Sequence, residues 1–253
     1  MSPEIPARST IASRRSSPLV RAPSAPQLES PCLARLGKRR HVAVTANEWK
    51  TSERVDHYLE LVDTVPHLAE GESVLLEQLP SGACRILDLG TGDGRLLAHV
   101  LRERPESVAV AIDVSERMLE RARERFADQP VDVCHHDLAE PLPDLGRFDG
   151  VVSGLAIHHL EDERKRMLYA EILDLLEPGG VFANFEHVAS PTPRLHRRFF
   201  EAIGEPLECE DPSDRLVDVE TQLRWLRDIG FGDVDCYWKW LELALLVGVK
   251  PEG

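Results

Sequence analysis

A run of three alternating glycines is the part of this sequence best suited to chemistry. It reads Gly90-Thr91-Gly92-Asp93-Gly94, and it lies between an apolar stretch at 85–89 and a helical pattern that begins at Arg95. Glycines at such a bend permit positive φ angles and let a ligand lie against bare main chain. The helix behind them presents unpaired N–H groups and the positive end of its dipole. The pattern therefore predicts a pocket for a nucleotide-type ligand.

The spacing of these glycines narrows the choice of nucleotide. Dinucleotide-binding folds use G-x-G-x-x-G, in which the last glycine lets the helix pack closely on the strand. Here the spacing is G-x-G-x-G, and Arg95 occupies the position that the last glycine would need. A phosphate-binding P-loop is also excluded, since no G-K-[ST] follows the glycines.

The surrounding elements alternate between two types. Helical patterns separate several of the apolar runs of strand length, which lie at 85–89, 108–112, 131–134, 148–153 and 181–185. Such alternation predicts a mostly parallel sheet with helices on both faces. Two further runs, 234–240 and 242–249, leave no room for a helix between them, so we expect them to pair antiparallel. They follow a predicted helix that ends at Gly230, where glycine suits a left-handed C-cap.

Five further segments follow the glycine loop in an order that resembles the class I S-adenosylmethionine-dependent methyltransferases, over roughly residues 47–250. Ala109-Val110-Ala111-Ile112-Asp113 resembles the second strand of that family, and Ser115–Leu119 the helix start behind it. His136-Asp137-Leu138 resembles the third strand's end, and 148–153 the fourth strand. The turn Leu176-Glu177-Pro178-Gly179-Gly180 resembles the entry to strand five.

The resemblance implies a fold, a cofactor and a set of contacts. The fold would be Rossmann-like and doubly wound, with a seven-stranded sheet that is mostly parallel, its last strand antiparallel, and helices on both faces. The cofactor would be S-adenosyl-L-methionine, with Asp113 on the ribose hydroxyls, Asp137 on the adenine amino group and Met118 against the adenine ring. The expected cofactor-binding residues are Asp88, Gly90, Thr91, Gly92, Gly94, Asp113, Val114, Met118, Asp137, Leu138 and Ser153. For Asp88, Asp113 and Met118, purely structural roles in the loop, a turn or the core remain alternatives.

The methyl acceptor should meet the cofactor at the ends of strands four and five. His159 and His187 lie there, and imidazoles titrate near neutrality, so either could take a proton from an acceptor. Glu186 could orient an imidazole or contact a substrate cation. The alternative for one of the pair His158 and His159 is a cap on the helix that follows.

Other residues are candidates for substrate contact. Arg194, Arg197 and Arg198 share one helix face and could hold an anionic substrate, although a solvated face is the favoured explanation. Trp238, with Tyr237, Trp240, Trp49 and Tyr58, could cover the pocket, although Trp238 and Trp240 also suit packing on one sheet face. No metal site is predicted, because the five cysteines are too widely spaced for a zinc ribbon or a C-x-x-C pair.

Charge and composition limit the choice of partners. The first forty residues carry eight of the 30 Lys and Arg residues but only two of the 44 Asp and Glu residues, so the rest of the chain has a net charge of −20. So negative a net charge disfavours the binding of nucleic acid, because phosphate contacts need Lys and Arg. No apolar run approaches the roughly 20 residues of a membrane helix. The odd, scattered cysteines suit a reducing compartment, so we expect a cytoplasmic protein.

These observations predict two regions. Residues 1–42 are rich in Ser, Pro and Arg and are expected to be a disordered tail. Residues 43–253 are expected to form the methyltransferase domain, with 188–217 as a substrate lid. The expected activity is methyl transfer to O, N or S of a small molecule. A transfer-RNA-related or cofactor-remodelling enzyme and a non-catalytic cofactor-binding regulator are the alternatives, and the sequence leaves the oligomeric state open.

Overall fold

The computed structural model describes residues 64–253. The expected tail at 1–42, Trp49 and Tyr58 lie outside the described residues. Within the described part, no helix is both long and apolar enough to cross a bilayer.

One seven-stranded sheet forms the centre of the fold. Its strands are β1 Arg85–Leu89, β2 Val108–Asp113, β3 Val131–His135, β4 Phe148–Gly154, β5 Leu176–His187, β6 Gly232–Trp240 and β7 Leu243–Val249. Their order across the sheet is β3-β2-β1-β4-β5-β7-β6. The first five strands run parallel, while β7 pairs antiparallel with both β5 and β6. The predicted fold class is confirmed, including the antiparallel last strand.

Six α-helices accompany the sheet in the described residues. They are α1 Leu68–Gln78, α2 Arg95–Glu103, α3 Glu116–Arg125, α4 Asp162–Leu175, α5 Pro193–Ile203 and α6 Val219–Ile229. Successive side chains of a strand point to opposite faces, so Ile86 packs in a cluster with α1 and α2, whereas Leu87 packs in a second cluster with α4 and α6. Both faces are therefore covered, as a buried parallel sheet requires.

Local sequence signals account for the ends of several helices. Thr192 accepts a hydrogen bond from the backbone N–H of Leu195 at the start of α5, and Asp218 caps α6 in the same way. Gly230 ends α6 with a φ of 118°, which confirms the predicted left-handed C-cap. The expectation that His158 or His159 caps α4 is wrong: the N-cap is Glu161, and the two histidines form a short 3₁₀ turn before it.

The start of the fifth strand also differs from the prediction. The expected turn at 178–180 is continuous with β5, which follows α4 without a loop. The ladder extends because Gly179 N–H donates to the Lys250 carbonyl and Lys250 N–H donates to Gly180. Gly179 has a φ of +76°, and the pairing with β4 shifts register at this point, so the glycines form an irregularity within the strand.

The connectivity opens one crevice. The chain passes from β1 to β2 and β3 on one side, and then crosses to β4 on the other side of β1. At such a switch point, the loops leave the carboxyl ends of the two central strands in opposite directions, and ligands bind between them. The glycine loop after β1 therefore faces the loop after β4.

Candidate active site

The three glycines after β1 have different roles. All have positive φ angles: +69° at Gly90, +57° at Gly92 and +83° at Gly94. A Cβ at Gly90 would lie 2.2 Å from the Cβ of Ala156, so this glycine lets the β1 and β4 loops approach. A Cβ at Gly94 would lie 2.4 Å from the Phe126 ring, so this position serves helix packing. Only at Gly92 is the space open, and here a ligand can lie against the main chain.

A cavity opens beside this loop, at the predicted crevice. Its walls come from the ends of β1, β2, β3 and β4, and it brings together residues far apart in the sequence. They are Gly90, Gly92, Asp113, Val114, Ser115, Met118, Asp137, Leu138, Gly154, Leu155, Ala156, His159 and Leu160. Seven of the eleven residues expected to bind cofactor, and one of the two expected to be catalytic, therefore line one cavity.

Asp113 is held in place by the backbone around it. Its Oδ2 accepts from Gly92 N–H at 2.9 Å, and its Oδ1 accepts from Ser115 N–H at 2.7 Å. Burial raises the pKa of this carboxyl group, although the backbone donors oppose the shift. A carboxylate accepts hydrogen bonds at both oxygens, so Asp113 can also accept from a hydroxyl group that enters the cavity.

An adjoining cleft shares Gly90, Gly92, Gly154 and Leu155 with the cavity. It is the more polar of the two, and its other walls are Glu72, Asp88, Thr91, Asp93, Arg95, Leu96 and Phe185. Asp88 is 1% exposed, and its Oδ2 accepts a 2.6 Å hydrogen bond from the Thr91 hydroxyl. Burial is the main reason why the pKa of Asp88 rises to about 7.

Several candidate residues lie outside both spaces. Gly94 faces Phe126, and the fully buried Ser153 donates its hydroxyl to the Leu89 carbonyl. On the exposed face of α5 lie Arg194, Arg197 and Arg198. Trp238 stacks on Phe185 with ring centroids 5.6 Å apart, which is the packing alternative for this residue.

Comparison with known proteins agrees with this architecture. The sequence profile of a methyltransferase domain family matches residues 86–180. A carboxy-S-adenosyl-L-methionine synthase of Desulforapulum autotrophicum is 30% identical over 189 residues, which are 66% of this chain and 75% of that protein. The chain belongs to the class I S-adenosylmethionine-dependent methyltransferase family.

Other members of the family match less of the chain or are more distant. An uncharacterized methyltransferase of Mycobacterium bovis is 38% identical over 113 residues, which are 44% of this chain and 55% of that protein. The chain thus spans about half the length of this curated relative. The solved structure of an O-methyltransferase family protein from Burkholderia thailandensis has a TM-score of 0.64 at 20% identity, over 81% of this chain and 62% of that one, and shows the shared fold.

Beyond the cavity wall lies a cluster of histidines and carboxylates. His158 Nδ1 lies 2.7 Å from Glu186 Oε1, and Glu186 is fully buried. His187 lies between two acids, with Nδ1 3.4 Å from Asp214 Oδ2 and Nε2 3.0 Å from Glu242 Oε2. Neither Glu186 nor His187 lines the cavity, so His159 is the imidazole that a ligand there would meet.

The charges in this cluster follow from its pairings. Burial by itself would lower the pKa of His187, but the carboxylates of Asp214 and Glu242 together raise it to about 9. A pKa of about 9 favours the protonated form of His187 at neutral pH, which opposes its expected use as a general base. Burial would raise the pKa of Asp214, yet the three neighbouring imidazoles hold it well below its usual range.

Sequence reasoning missed two contributors to this region. Asp214 belongs to a polar loop that gave no signal of its own. The N–H of the next residue, Arg215, donates to the His158 carbonyl at 3.0 Å and holds the loop against the histidines. Leu155 lines both spaces with a φ of +54°, a conformation that only a few per cent of non-glycine residues adopt. Strain of this kind is concentrated at functional sites, but the sequence does not reveal it.

Proposed function

We propose that this protein transfers a methyl group from S-adenosyl-L-methionine to O, N or S of a small-molecule acceptor. The cofactor's adenosine would occupy the cavity, with its ribose on Asp113 and its adenine between Met118 and Asp137. Its methionine end would extend into the adjoining cleft, where Asp88 would attract the ammonium group. The observation that carries the proposal is the cavity that unites the glycine loop with Asp113 and Asp137.

The acceptor would enter from the side of His159. Methyl transfer from a sulfonium is an in-line displacement, and the cofactor is already activated, so the protein has to orient the two reactants and exclude water. Gly154 and Leu155 line both the cavity and the cleft, so the sulfonium would lie beside them. His159 lines the same cavity from the next turn of the chain, at the position where an acceptor would approach.

The negative net charge outside the first forty residues supports a small-molecule acceptor. Residues 41–253 carry a net charge of −20, which opposes a nucleic acid substrate.

Two measurements test the proposal. Calorimetry should detect stoichiometric binding of S-adenosylhomocysteine, and its absence would contradict the cofactor assignment. Radiolabelled S-adenosylmethionine, incubated with the protein and cell extract, should then transfer label to the small-molecule fraction. Label in RNA would mean that the acceptor is a nucleic acid instead of a small molecule. Binding of the cofactor without transfer of label into any fraction would favour a non-catalytic regulator.

Cofactor remodelling is a second candidate, because the carboxy-S-adenosyl-L-methionine synthase is matched over 75% of its own length. The two activities leave different products from the same cofactor. Methyl transfer leaves S-adenosylhomocysteine and a methylated acceptor, whereas remodelling leaves carboxy-S-adenosylmethionine. Mass spectrometry of the cofactor pool after incubation with extract separates them.

A further inference from the structure

Three side chains beside the proposed acceptor position bring ligand atoms together. His158 Nε2 lies 3.6 Å from Asp214 Oδ1, and His159 Nδ1 lies 3.3 Å from the same oxygen. The three ligand atoms all lie within 4.8 Å of one another. Their side chains are 8%, 16% and 9% exposed, so the group is shielded from bulk water but adjoins the cavity through His159.

The two separations from Asp214 Oδ1 are those of a metal coordination sphere. Zinc bonds to nitrogen and oxygen are about 2.0–2.2 Å long, so two ligands at a tetrahedral angle lie roughly 3.3–3.6 Å apart. Both measured distances to Asp214 fall in this interval. Two imidazoles and one carboxylate also match the three-ligand sets of catalytic zinc sites, which leave a fourth position for water or substrate.

The proton positions favour a cation between these atoms. A carboxylate only accepts hydrogen bonds, so the 2.7 Å contact with Glu186 requires the proton of neutral His158 to be on Nδ1. The lone pair of His158 Nε2 then points towards Asp214 Oδ1, which is itself electron-rich. This buried carboxylate oxygen has no hydrogen-bond partner. A proton or a metal ion between these two atoms would stabilise them.

The surrounding residues resemble the supporting shell of a metal site. Metal-bound histidines usually donate the other ring N–H to a carboxylate, and such partners fix the ring and raise its basicity. Glu186 does this for His158, and it is held in turn by Asn184 Nδ2 at 3.2 Å and by the His187 backbone N–H at 3.0 Å. The other oxygen of Asp214 is oriented by His187.

We propose that His158, His159 and Asp214 bind one divalent transition-metal ion, with zinc the best match, and that the ion positions the methyl acceptor. This inference rests on the proposed methyl transfer. To bind the ion, His159 Nδ1 would exchange its 3.1 Å contact with the Ser213 hydroxyl for the metal. Ser213 already has Asp211 Oδ1 as a second partner at 2.6 Å, so the hydroxyl group would remain bonded.

The ion defines the class of acceptor. A hydroxyl group in the open coordination position loses its proton more readily, because the metal stabilises the resulting oxyanion. The proton passes to solvent, the oxygen forms a bond to the methyl carbon, and the C–S bond breaks with its electron pair retained by sulfur. The acceptor is therefore an oxygen nucleophile whose reacting hydroxyl group occupies the single open position, such as an alcohol or a phenol.

Zinc binding by the full chain tests the site directly. After treatment with a chelator and its removal, titration calorimetry with ZnCl₂ and elemental analysis should show one equivalent of zinc per chain. Asp214→Asn and His159→Gln should each weaken binding at least about tenfold, since even second-shell changes cost 10- to 100-fold. Glu210→Gln is the matched control, because Glu210 lies in the same loop, is about half exposed and is outside the ligand set.

The outcomes are distinguishable from failure of the proposed function. S-Adenosylhomocysteine binding, measured on the wild type and Glu210→Gln, reports on the cofactor site without zinc. If Asp214→Asn shows no cooperative thermal transition, His159→Gln decides the matter. Absence of stoichiometric zinc, or equal zinc affinity in the wild type and the folded ligand variants, would overturn the metal site and leave a protonated imidazole–carboxylate network in its place.

Discussion

The backbone N–H of Gly92 donates to Asp113 Oδ2 at a distance of 2.9 Å. This bond joins the only glycine of the loop with open space at its Cβ position to the acid at the end of the neighbouring strand. The surface against which a ligand can lie and the carboxylate that would bind its hydroxyls are therefore fixed relative to each other before anything binds. Such preorganisation reduces the entropy that binding would otherwise cost.

Replacement of Asp113 by Asn should weaken S-adenosylhomocysteine binding. The amide loses the charge and one acceptor oxygen, and a hydrogen bond to a charged group contributes about 1.5–3 kcal/mol. We therefore expect the Kd to rise by roughly one to two orders of magnitude, measured by calorimetry. Asp128→Asn, at an exposed position, is the control. Unchanged affinity in Asp113→Asn would remove the ribose assignment.

Two neighbouring glycine substitutions should have different effects. Gly90→Ala places a Cβ 2.2 Å from Ala156 in addition to its positive φ, so we expect a loss of about 2–5 kcal/mol in the free energy of unfolding. Gly92→Ala has only the backbone cost, about 1–2 kcal/mol, but fills the space of the cofactor. Chemical denaturation and calorimetry should show that Gly92→Ala folds but binds S-adenosylhomocysteine poorly. Equal stability of the two variants would contradict this assignment of roles.

The cofactor side could be predicted from the sequence because it is encoded locally. Asp113 ends β2, and Gly92 and Asp137 lie within three residues of the ends of β1 and β3. The ends of parallel strands meet at one edge of a sheet. Ser153 was misjudged for an equally local reason. Successive side chains of β4 point to opposite faces of the sheet, and this alternation decides which of them face the crevice. The Ser153 hydroxyl donates to the backbone carbonyl of Leu89.

The acceptor side could not be predicted in the same way. Asp214 lies 55 residues after His159 in a polar loop, and it reaches the histidines through long-range backbone bonds, from Arg215 N–H to the His158 carbonyl and from Ala189 N–H to the Val217 carbonyl. Likewise, Glu242 precedes β7 and meets His187 only because β7 inserts between β5 and β6. Residue type made His187 look like a base, but these two carboxylates, which no short pattern specifies, keep it protonated.

Cofactor binding should depend on pH through Asp88. Its pKa of about 7 belongs to the empty, buried site, and the ammonium group of a ligand favours the ionised carboxylate. Affinity for S-adenosylhomocysteine should therefore fall as the pH drops below about 7, by up to about tenfold per pH unit. Calorimetry across this range should show the decrease in the wild type and a flatter profile in Asp88→Asn. The same slope in both proteins would assign the proton to another group.

The same carboxyl group should have the opposite effect on folding. The pKa of this carboxyl group is 3.8 in the unfolded chain and about 7 in the native state. Between these two pH values, the native state binds the proton more tightly than the unfolded state. The contribution of Asp88 to the free energy of unfolding is therefore greatest at low pH and declines as the pH rises towards 7, by roughly 4 kcal/mol at most. Denaturation curves of the wild type and Asp88→Asn should converge at low pH if this sign is correct.

Replacement of Glu186 by Gln should destabilise the fold. This carboxylate is 0% exposed and accepts from three donors: His158 Nδ1, the His187 backbone N–H and Asn184 Nδ2. The amide has one acceptor instead of two, and the nearby buried Lys165 loses a compensating charge.

Removal of one partner from a buried charge network costs about 3–5 kcal/mol, so we expect a decrease of that size in the free energy of unfolding. Chemical denaturation measures it, with the exposed Glu177→Gln on the same strand as the control. A stability equal to that of the control would mean that Glu186 is not ionised in the native state, and its contact with His158 would then fix neither the ring nor its proton.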